Sequence, residues 1–352
     1  MKKNSSTVLI REISERAGVS QSTVSIVLNG RGDEMRISKK TQQLVKDIAR
    51  EMDYHPNIYA RRLRNAAQSG MKQMIAVFWC SRLLEDEMAR FFEGAAETVK
   101  ENKYGTELVI RIFDEDHLSD HLDLINSQHY NGIIVNGASR ADADFLESEP
   151  FDIPVVLTSR IGKALSSVHV DNYNVGRQCA ILFADAGYRK AGLIMPVKPS
   201  VGSNLRIAGF REACGESGIE LRPEWELMSD EFDMARTVTL FNRILDLEER
   251  PDCLFIQRSM MALPVYAAME RRRLRIPDDI AILGCGINSF LNLTHPSISM
   301  VGGSMKSYGK SAVDLIMLLI NNHITTPMNT VTPPVFVFND SFRPAGNAKE
   351  LS

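Results

Sequence analysis

Cysteine is scarce in this 352-residue chain, and its five copies, Cys80, Cys179, Cys214, Cys253 and Cys285, lie far apart with no CxxC pair. An odd, dispersed set builds neither a disulfide framework nor a zinc site, so the thiols read as small buried hydrophobes in a reducing compartment and no metal is expected. Long apolar runs are also missing; none approaches the roughly 18 residues that span a bilayer. The opening Met1-Lys2-Lys3 suits a signal peptide, but Arg11 and Glu12 interrupt the short stretch Val8-Leu9-Ile10. Without an apolar h-region, a cytoplasmic location is expected. Catalytic signatures are absent in turn: no GxSxG elbow, Walker loop, HExxH or dinucleotide fingerprint occurs. Gly284-Cys285-Gly286 lacks the third glycine of the last of these, and the seven histidines are scattered. The expectation is a protein that is not an enzyme and carries no cofactor.

What is present is an ordinary globular composition, 44% hydrophobic and 24% charged, in a chain long enough for two or three folding units. The net charge of −3 conceals an asymmetry. Residues 1–70 hold 13 Lys/Arg against 7 Asp/Glu, and the remainder 28 against 37. A small basic segment joined to a large acidic one suggests that only the first meets a polyanion, the alternative being a solvated basic tail.

Helical spacing of Ile10, Ile13 and Ala17 predicts a short helix from about Leu9 to Ala17. Gly18-Val19 breaks it, Ser20 caps a second helix through Val24, Val27 and Leu28, and Asn29-Gly30 closes that one. Ser38 caps a third, through Leu44, Val45, Ile48, Ala49 and Met52. Two short helices around a tight Ala-Gly-Val-Ser turn form a helix-turn-helix. Its second helix offers Ser20, Gln21, Ser22, Thr23, Ser25 and Ile26, with Asn29 at its end, to base edges and phosphates. A three-helix module for protein contact is the competing reading, and the positive charge opposes it.

The run from Ile10 to Gly30, IREISERAGVSQSTVSIVLNG, closely resembles the headpiece of the lactose/galactose repressor family, and YHPNIYARRLR from Tyr54 to Arg64 resembles its hinge. Physically, Pro56 biases His55 away from helix and Asn57 caps a helix of barely two turns, marginal unless supported. The resemblance implies that paired hinge helices enter the minor groove, with Leu63 as a wedge between base pairs and Asn57 and Ala60 in matching places. Such a wedge unstacks and kinks DNA, preferentially at flexible steps. Arg61, Arg62 and Arg64 would contact phosphates. Three departures stand out. Ile26 replaces a frequent Arg or His and suits a thymine methyl rather than guanine. Leu9 replaces the usual Thr cap of the first helix, weakening it or leaving it to Thr7. The loop Arg31–Arg36 is about three residues longer than the family pattern implies.

After a linker, strand-like runs alternate with helical patterns: Ile75–Phe78, Leu108–Ile112, Gly132–Val135, Val155–Leu157 and Val168–Val170, then Ala191–Met195, Cys253–Ile256, Ile280–Leu283 and Ser299–Val301. Repeated β-α units imply parallel sheets with right-handed crossovers, and two consecutive sets suit a bilobed sensor with ligand between the lobes. The fold class expected is therefore an all-α helix-turn-helix headpiece plus an α/β bilobed, periplasmic-binding-protein-like sensor built on two doubly wound parallel sheets. The resemblance continues to about Arg343, through Asp171–Gly176, Arg206–Phe210 and Ile276–Ala281. It implies a headpiece at 1–55, a hinge and linker at 56–71, a sensor and dimerisation domain at 72–343, and a polar tail at 344–352. Within the sensor it implies an N-terminal lobe at 72–168 plus 299–332, and a C-terminal lobe at 169–298 plus 333–343.

By position in that family, Arg206 is the cleft arginine and Phe232 the pocket aromatic, which stacks on a sugar face or simply fills the core. Ser159, beside Arg160, stands where many members carry Asp. Arg258 and Ser259 replace an Asn/Asp pair, and Gly286 replaces another Asp. Loss of these acceptors weakens neutral-sugar recognition, and Arg258 beside Arg206 favours a sugar phosphate or sugar acid. Against that, Arg258 points to solvent and the ligand is an ordinary saccharide, or the cleft takes no metabolite. The resemblance implies a homodimeric transcription regulator, most simply a repressor, on a pseudo-palindromic operator, its hinge controlled by the effector. A solute-binding protein for transport and a metabolic enzyme on a doubly wound fold are the rivals. The tail has no leucine heptads, so a tetramerising coiled coil is not expected.

Overall fold

The computed structural model describes residues 10–28, 32–33, 35–52, 73–83, 86–101, 105–125, 129–229 and 233–345. The chain divides into two compact units, residues 1–71 and 72–352.

In the first unit, α1 (Ile10–Ala17), α2 (Gln21–Leu28) and α3 (Lys39–Glu51) form as the spacing predicts. Gly18 ends α1 in the left-handed region at φ +65°, and the Val19 N–H reaches back to the Ser14 carbonyl at 3.2 Å. That six-to-one closure is a Schellman end, and Val19 packs on the core beneath it. Ser20 Oγ accepts the Thr23 N–H at 3.1 Å and Ser38 Oγ the Thr41 N–H at 3.2 Å, so both expected caps form. Ile13, Ala17, Val24, Val27, Val45, Ile48 and Ala49 make the core. Leu44, expected inside, is 46% exposed, because the stripe of Val45, Ile48, Ala49 and Met52 already faces the other helices.

The described part of the long loop is tied to α3. Asp33 accepts from Lys39 Nζ at 2.7 Å and Gln42 Nε2 at 2.9 Å, and Gln42 Nε2 also reaches the Ile37 carbonyl at 2.8 Å. A Cβ on Gly32 would fall 2.4 Å from Gln42 Cδ, so the side chain that anchors the loop needs glycine beside it.

The second unit carries two six-stranded sheets. The first, ordered β11-β5-β4-β3-β1-β2, contains β1 (Gln73–Cys80), β2 (Thr106–Phe113), β3 (Gly132–Asn136), β4 (Val155–Thr158), β5 (Ser166–Val170) and β11 (Asn329–Thr332), all parallel. Around them lie α4 (Asp86–Glu101), α5 (Leu122–Ile125) and α6 (Arg140–Ser148). The second, ordered β12-β10-β9-β8-β6-β7, contains β6 (Lys190–Pro196), β7 (Glu220–Ser229), β8 (Cys253–Ile256), β9 (Ala281–Cys285), β10 (Ser299–Gly303) and β12 (Pro334–Val337). Its helices are α7 (Asn172–Asp185), α8 (Val201–Ser217), α9 (Met234–Leu245) and α10 (Ala262–Arg271), and α11 (Met305–Asn322) returns to pack on α4.

The expected lobe boundaries need correction. β5 stays in the first sheet through Val170, two residues beyond the expected limit. β10 pairs in parallel with β9 and antiparallel with β12, so 299–303 belongs to the second sheet rather than the first. The chain thus crosses between lobes after Val170, Gly303 and Thr332. A short apolar strand reads alike in either sheet, which is why the pattern does not reveal its partner. β7, absent from the sequence reading, is an edge strand whose Glu, Arg and Pro residues hide its periodicity. Pro223 is tolerated there because an edge leaves one face of the ladder unpaired.

Each lobe has one helix pair in backbone contact. A Cβ on Gly94 of α4 would lie 2.0 Å from the Lys306 carbonyl, and one on Gly309 of α11 2.0 Å from that of Phe91. In the other lobe, Gly176 of α7 faces the Arg206 carbonyl at 2.0 Å and Gly209 of α8 that of Tyr173 at 2.1 Å. Only glycine permits such approach. The second seam fixes the height of Arg206 above its sheet.

Candidate nucleic-acid interface and effector cleft

On the recognition helix, Val24 and Val27 point into the core, leaving Gln21 and Ser22 exposed and Ser25 and Ile26 half-buried. The Ser20 hydroxyl serves the cap and also meets Thr23 Oγ1 at 2.9 Å, so these two side chains order the first turn while remaining at its surface. Exposed cations in the same unit include Arg36, Lys40 and Lys46, whereas Arg16 lies 3.6 Å from Glu51. Asn29, Asn57, Ala60, Arg61 and Leu63 lie outside the described residues, as does Phe232 in the sensor.

In the sensor, the two sheets present their carboxyl ends to one another. The Ser289 N–H, just after β9, donates to Asp86 Oδ2, at the start of the helix α4 that follows β1, at 3.0 Å. Such a crevice outside parallel strand ends is where α/β folds take ligands. Arg206 stands in it, half-buried, on the second turn of α8. Its Nε donates to Gln257 Oε1 at 3.2 Å, Nη1 to Asn172 Oδ1 at 2.7 Å and Nη2 to Ser203 Oγ at 3.2 Å. Asn172 opens α7 just after the first crossover and Gln257 follows β8. The direct partners of Arg206 are thus three buried neutral groups that the sequence reading passed over. Their signal was position: each lies just past a strand's carboxyl end or in the first turn of a following helix.

Across the cleft, Ser159 adopts φ +65° and its Oγ donates to Asn136 Oδ1 at 3.4 Å. Asn136, fully buried at the end of β3, also accepts from Thr158 Oγ1 at 2.6 Å, while its Nδ2 has no hydrogen-bond partner. Arg160 donates to the Ser139 carbonyl, and burial works against its charge. Ser259 is buried against Gly284 and Gly286. Arg258 is half-buried in extended backbone beside it. The structure therefore brings Arg206 to Gln257 rather than placing Ser259 in direct polar contact with it.

The remaining reactive groups are structurally occupied. All five cysteines are free and buried; burial pushes the Cys214 thiol up to about 12 and holds Cys179 and Cys253 well above the ordinary thiol value. His117 and His121 are four apart, but His117 Nδ1 lies 2.9 Å from the Glu115 carbonyl and His121 packs edge-on to Phe78. Among the described residues no cluster of three metal-ligating side chains occurs, and no helix is long and apolar enough to cross a membrane.

Comparison with known proteins agrees with this arrangement. Residues 9–57 match the model for bacterial regulatory proteins of the lacI family, and residues 180–342 that for the periplasmic binding protein-like domain. The ribose operon repressor of Haemophilus influenzae is 26% identical over 336 residues, 94% of this chain and 98% of its own. The transcriptional repressor PurR of Mannheimia succiniciproducens is 24% identical over 311 residues, 87% and 90% respectively. Among solved structures, a LacI family transcription regulator from Clostridium acetobutylicum superposes with TM-score 0.69 at 25% identity, covering 76% of this chain and 99% of its own. The regulator CelR in complex with cellobiose gives 0.66 at 22% identity over 95% and 100%. The lac repressor dimer bound to operator and an anti-inducer gives 0.64 at 20% over 96% and 99%. These relatives are transcription regulators, not enzymes. With its helix-turn-helix headpiece and its two-sheet sensor, the chain joins the helix-turn-helix domain of the lacI family of bacterial regulatory proteins to a periplasmic binding protein-like domain.

Proposed function

We propose that the protein is a homodimeric repressor that binds a pseudo-palindromic operator and responds to a small carbohydrate-type effector held between the sensor lobes. The observation that carries this reading is the division of labour on α2: valines anchor it while Gln21 and Ser22 remain open to a major groove. Ser25 and Ile26 extend that face, Ile26 favouring a thymine methyl. Asn29, Asn57, Ala60, Arg61 and Leu63 take the operator-contacting roles that the family resemblance implies. Two exposed apolar patches support a second copy as partner. Ile110 and Ile112 stand 42% and 43% exposed on edge strand β2, and Phe290 and Leu293 stand 63% and 84% exposed on the turn after β9. Isolated exposed apolar residues need no partner, but pairs on both lobes suit a two-fold interface. The lac repressor, solved as a dimer bound to operator, is consistent with this assembly.

Effector and operator are coupled through the angle between lobes, which both ligands must bias and which each therefore reports to the other. The domains act as headpiece 1–55, hinge 56–71 and sensor 72–343, with the lobe boundaries corrected above. Selection of bound duplexes from a random pool, with and without a metabolite library, tests the proposal. A palindromic consensus whose recovery changes with one class of metabolite is the expected result. Equal retention of all duplexes at low ionic strength, whatever is added, would reject it.

A further inference from the structure

Resting on the effector reading above, we infer that the cleft is built for an anion, a small sugar acid or sugar phosphate, gripped by Arg206 and Gln257. A guanidinium carries five N–H donors and one positive charge. Three of those donors go to Gln257, Asn172 and Ser203, which are all neutral, so among the described residues no hydrogen-bond partner of Arg206 balances its charge and two donors remain. Beside them is a second observation of independent origin. Gln257 is 1% exposed, its Oε1 is turned to Arg206, and its Nε2 has no hydrogen-bond partner. Flipping that amide does not help, since it would set donor against donor. A buried donor left unmade is destabilising, and a half-buried charge with no counter-ion among the described residues is more so.

The amide oxygens near this cluster each already accept at least one hydrogen bond. Asn172 Oδ1 and Gln257 Oε1 are taken by Arg206, and Asn136 Oδ1 by Thr158. A neutral sugar hydroxyl donates as well as accepts and finds few openings here. A carboxylate or phosphate only accepts, and fits donors that lack partners beside an unbalanced cation.

The decisive variant is Gln257→Glu. It keeps an acceptor for Arg206, supplies the missing negative charge and deletes the orphan donor. Calorimetric titration of the full-length protein with glucose and ribose, against gluconate, glucuronate, glucose 6-phosphate and ribose 5-phosphate, reads the outcome. At least one acid or phosphate should bind tenfold or more tighter than its neutral parent, and more weakly as salt rises. Gln257→Glu should raise the melting temperature of the ligand-free protein and lower affinity for that anion by about a hundredfold. Arg206→Gln should lower the same affinity by on the order of tenfold to a hundredfold. Binding of a neutral sugar as tight as that of its acid or phosphate, or unchanged anion affinity in Gln257→Glu, overturns the anion assignment. A neutral sugar that alone binds and releases operator would do so while leaving the effector reading intact. No binding by any acid or phosphate overturns the assignment as well.

Discussion

The hydroxyl oxygen of Tyr308 occupies the space that a Cβ on Gly303 would need, at 2.2 Å. Gly303 ends β10, where the chain makes its second crossover, and Tyr308 is on the helix that follows. The same hydroxyl lies near the backbone of Val170 and the side chain of Thr332, at the first and third crossovers. One phenol thus sits beside all three strands that connect the lobes, and burial pushes its pKa up to about 12. Removing the hydroxyl with Tyr308→Phe is expected to cost about 1 kcal/mol. Gly303→Ala forces the ring aside and is expected to cost about 1–3 kcal/mol. Because the two residues share one contact, the double variant should lose less than the sum, as denaturant unfolding would show. Strict additivity would mean that the crossovers are not pinned together here. On the proposed reading, operator release by the effector should also change in Tyr308→Phe, since the phenol sits where the chain crosses between lobes.

The glycine seam behind the cleft makes a second prediction. At Gly176 the obstacle is the carbonyl of Arg206, which is backbone and cannot swing away. Gly176→Ala should part α7 from α8, destabilise the sensor by several kcal/mol on the scale of overpacked interiors, and shift the guanidinium that sits on the displaced turn. A melting temperature within a degree of the parent would contradict this backbone contact.

On the proposed reading, operator binding divides between direct and indirect readout. Gln21→Ala, at an exposed recognition-helix position, is expected to cost about 1–3 kcal/mol against the preferred duplex and little against random DNA. Leu63→Ala is expected to lower specific binding and DNA bending together while leaving effector affinity nearly unchanged. Anisotropy and circular-permutation gel shifts measure both, and undiminished bending by Leu63→Ala would remove the wedge role.

Acid should loosen the headpiece loop first. Lys39 and Gln42 bond the Asp33 carboxylate and hold it below its ordinary value of 3.8. A depressed folded value means a contribution present above the unfolded pKa and lost as pH falls through the folded one. The loop is therefore intact at neutral pH and should lose protection from hydrogen exchange below about pH 4. Asp33→Asn should abolish that acid step. Because the carboxylate is fully exposed, a step that persists in the variant would assign it to another group.

Local order was legible because local chemistry decides it. Gly18, Ser20 and Ser38 terminate and cap helices through contacts within five residues of themselves, and the valine stripe of α2 selects its inward face without reference to anything distant. The β-α alternation of the sensor was equally plain, since buried parallel strands must be apolar along their length. Of the four edge strands, β2 was legible but β7, β11 and β12 escaped, because partial solvation relaxes that demand, as the charges of β7 illustrate. In the cleft, Arg206 was recognisable by its neighbours in sequence, whereas Gln257, Asn172 and Asn136 were not.

By itself, then, the amino-acid order determined the capped headpiece, the succession of strands and helices, the kinship carried by two short motifs, and the separation of a basic end from an acidic remainder. Only the tertiary structure decided which sheet receives 299–303, which three chain crossings Tyr308 lies beside, and which neutral groups surround Arg206. The physical reason is range. Caps, turns and amphipathic stripes are settled by atoms a few residues apart, but strand partnership and hydrogen-bond neutrality depend on groups dozens of residues away, joined only when the sheets close.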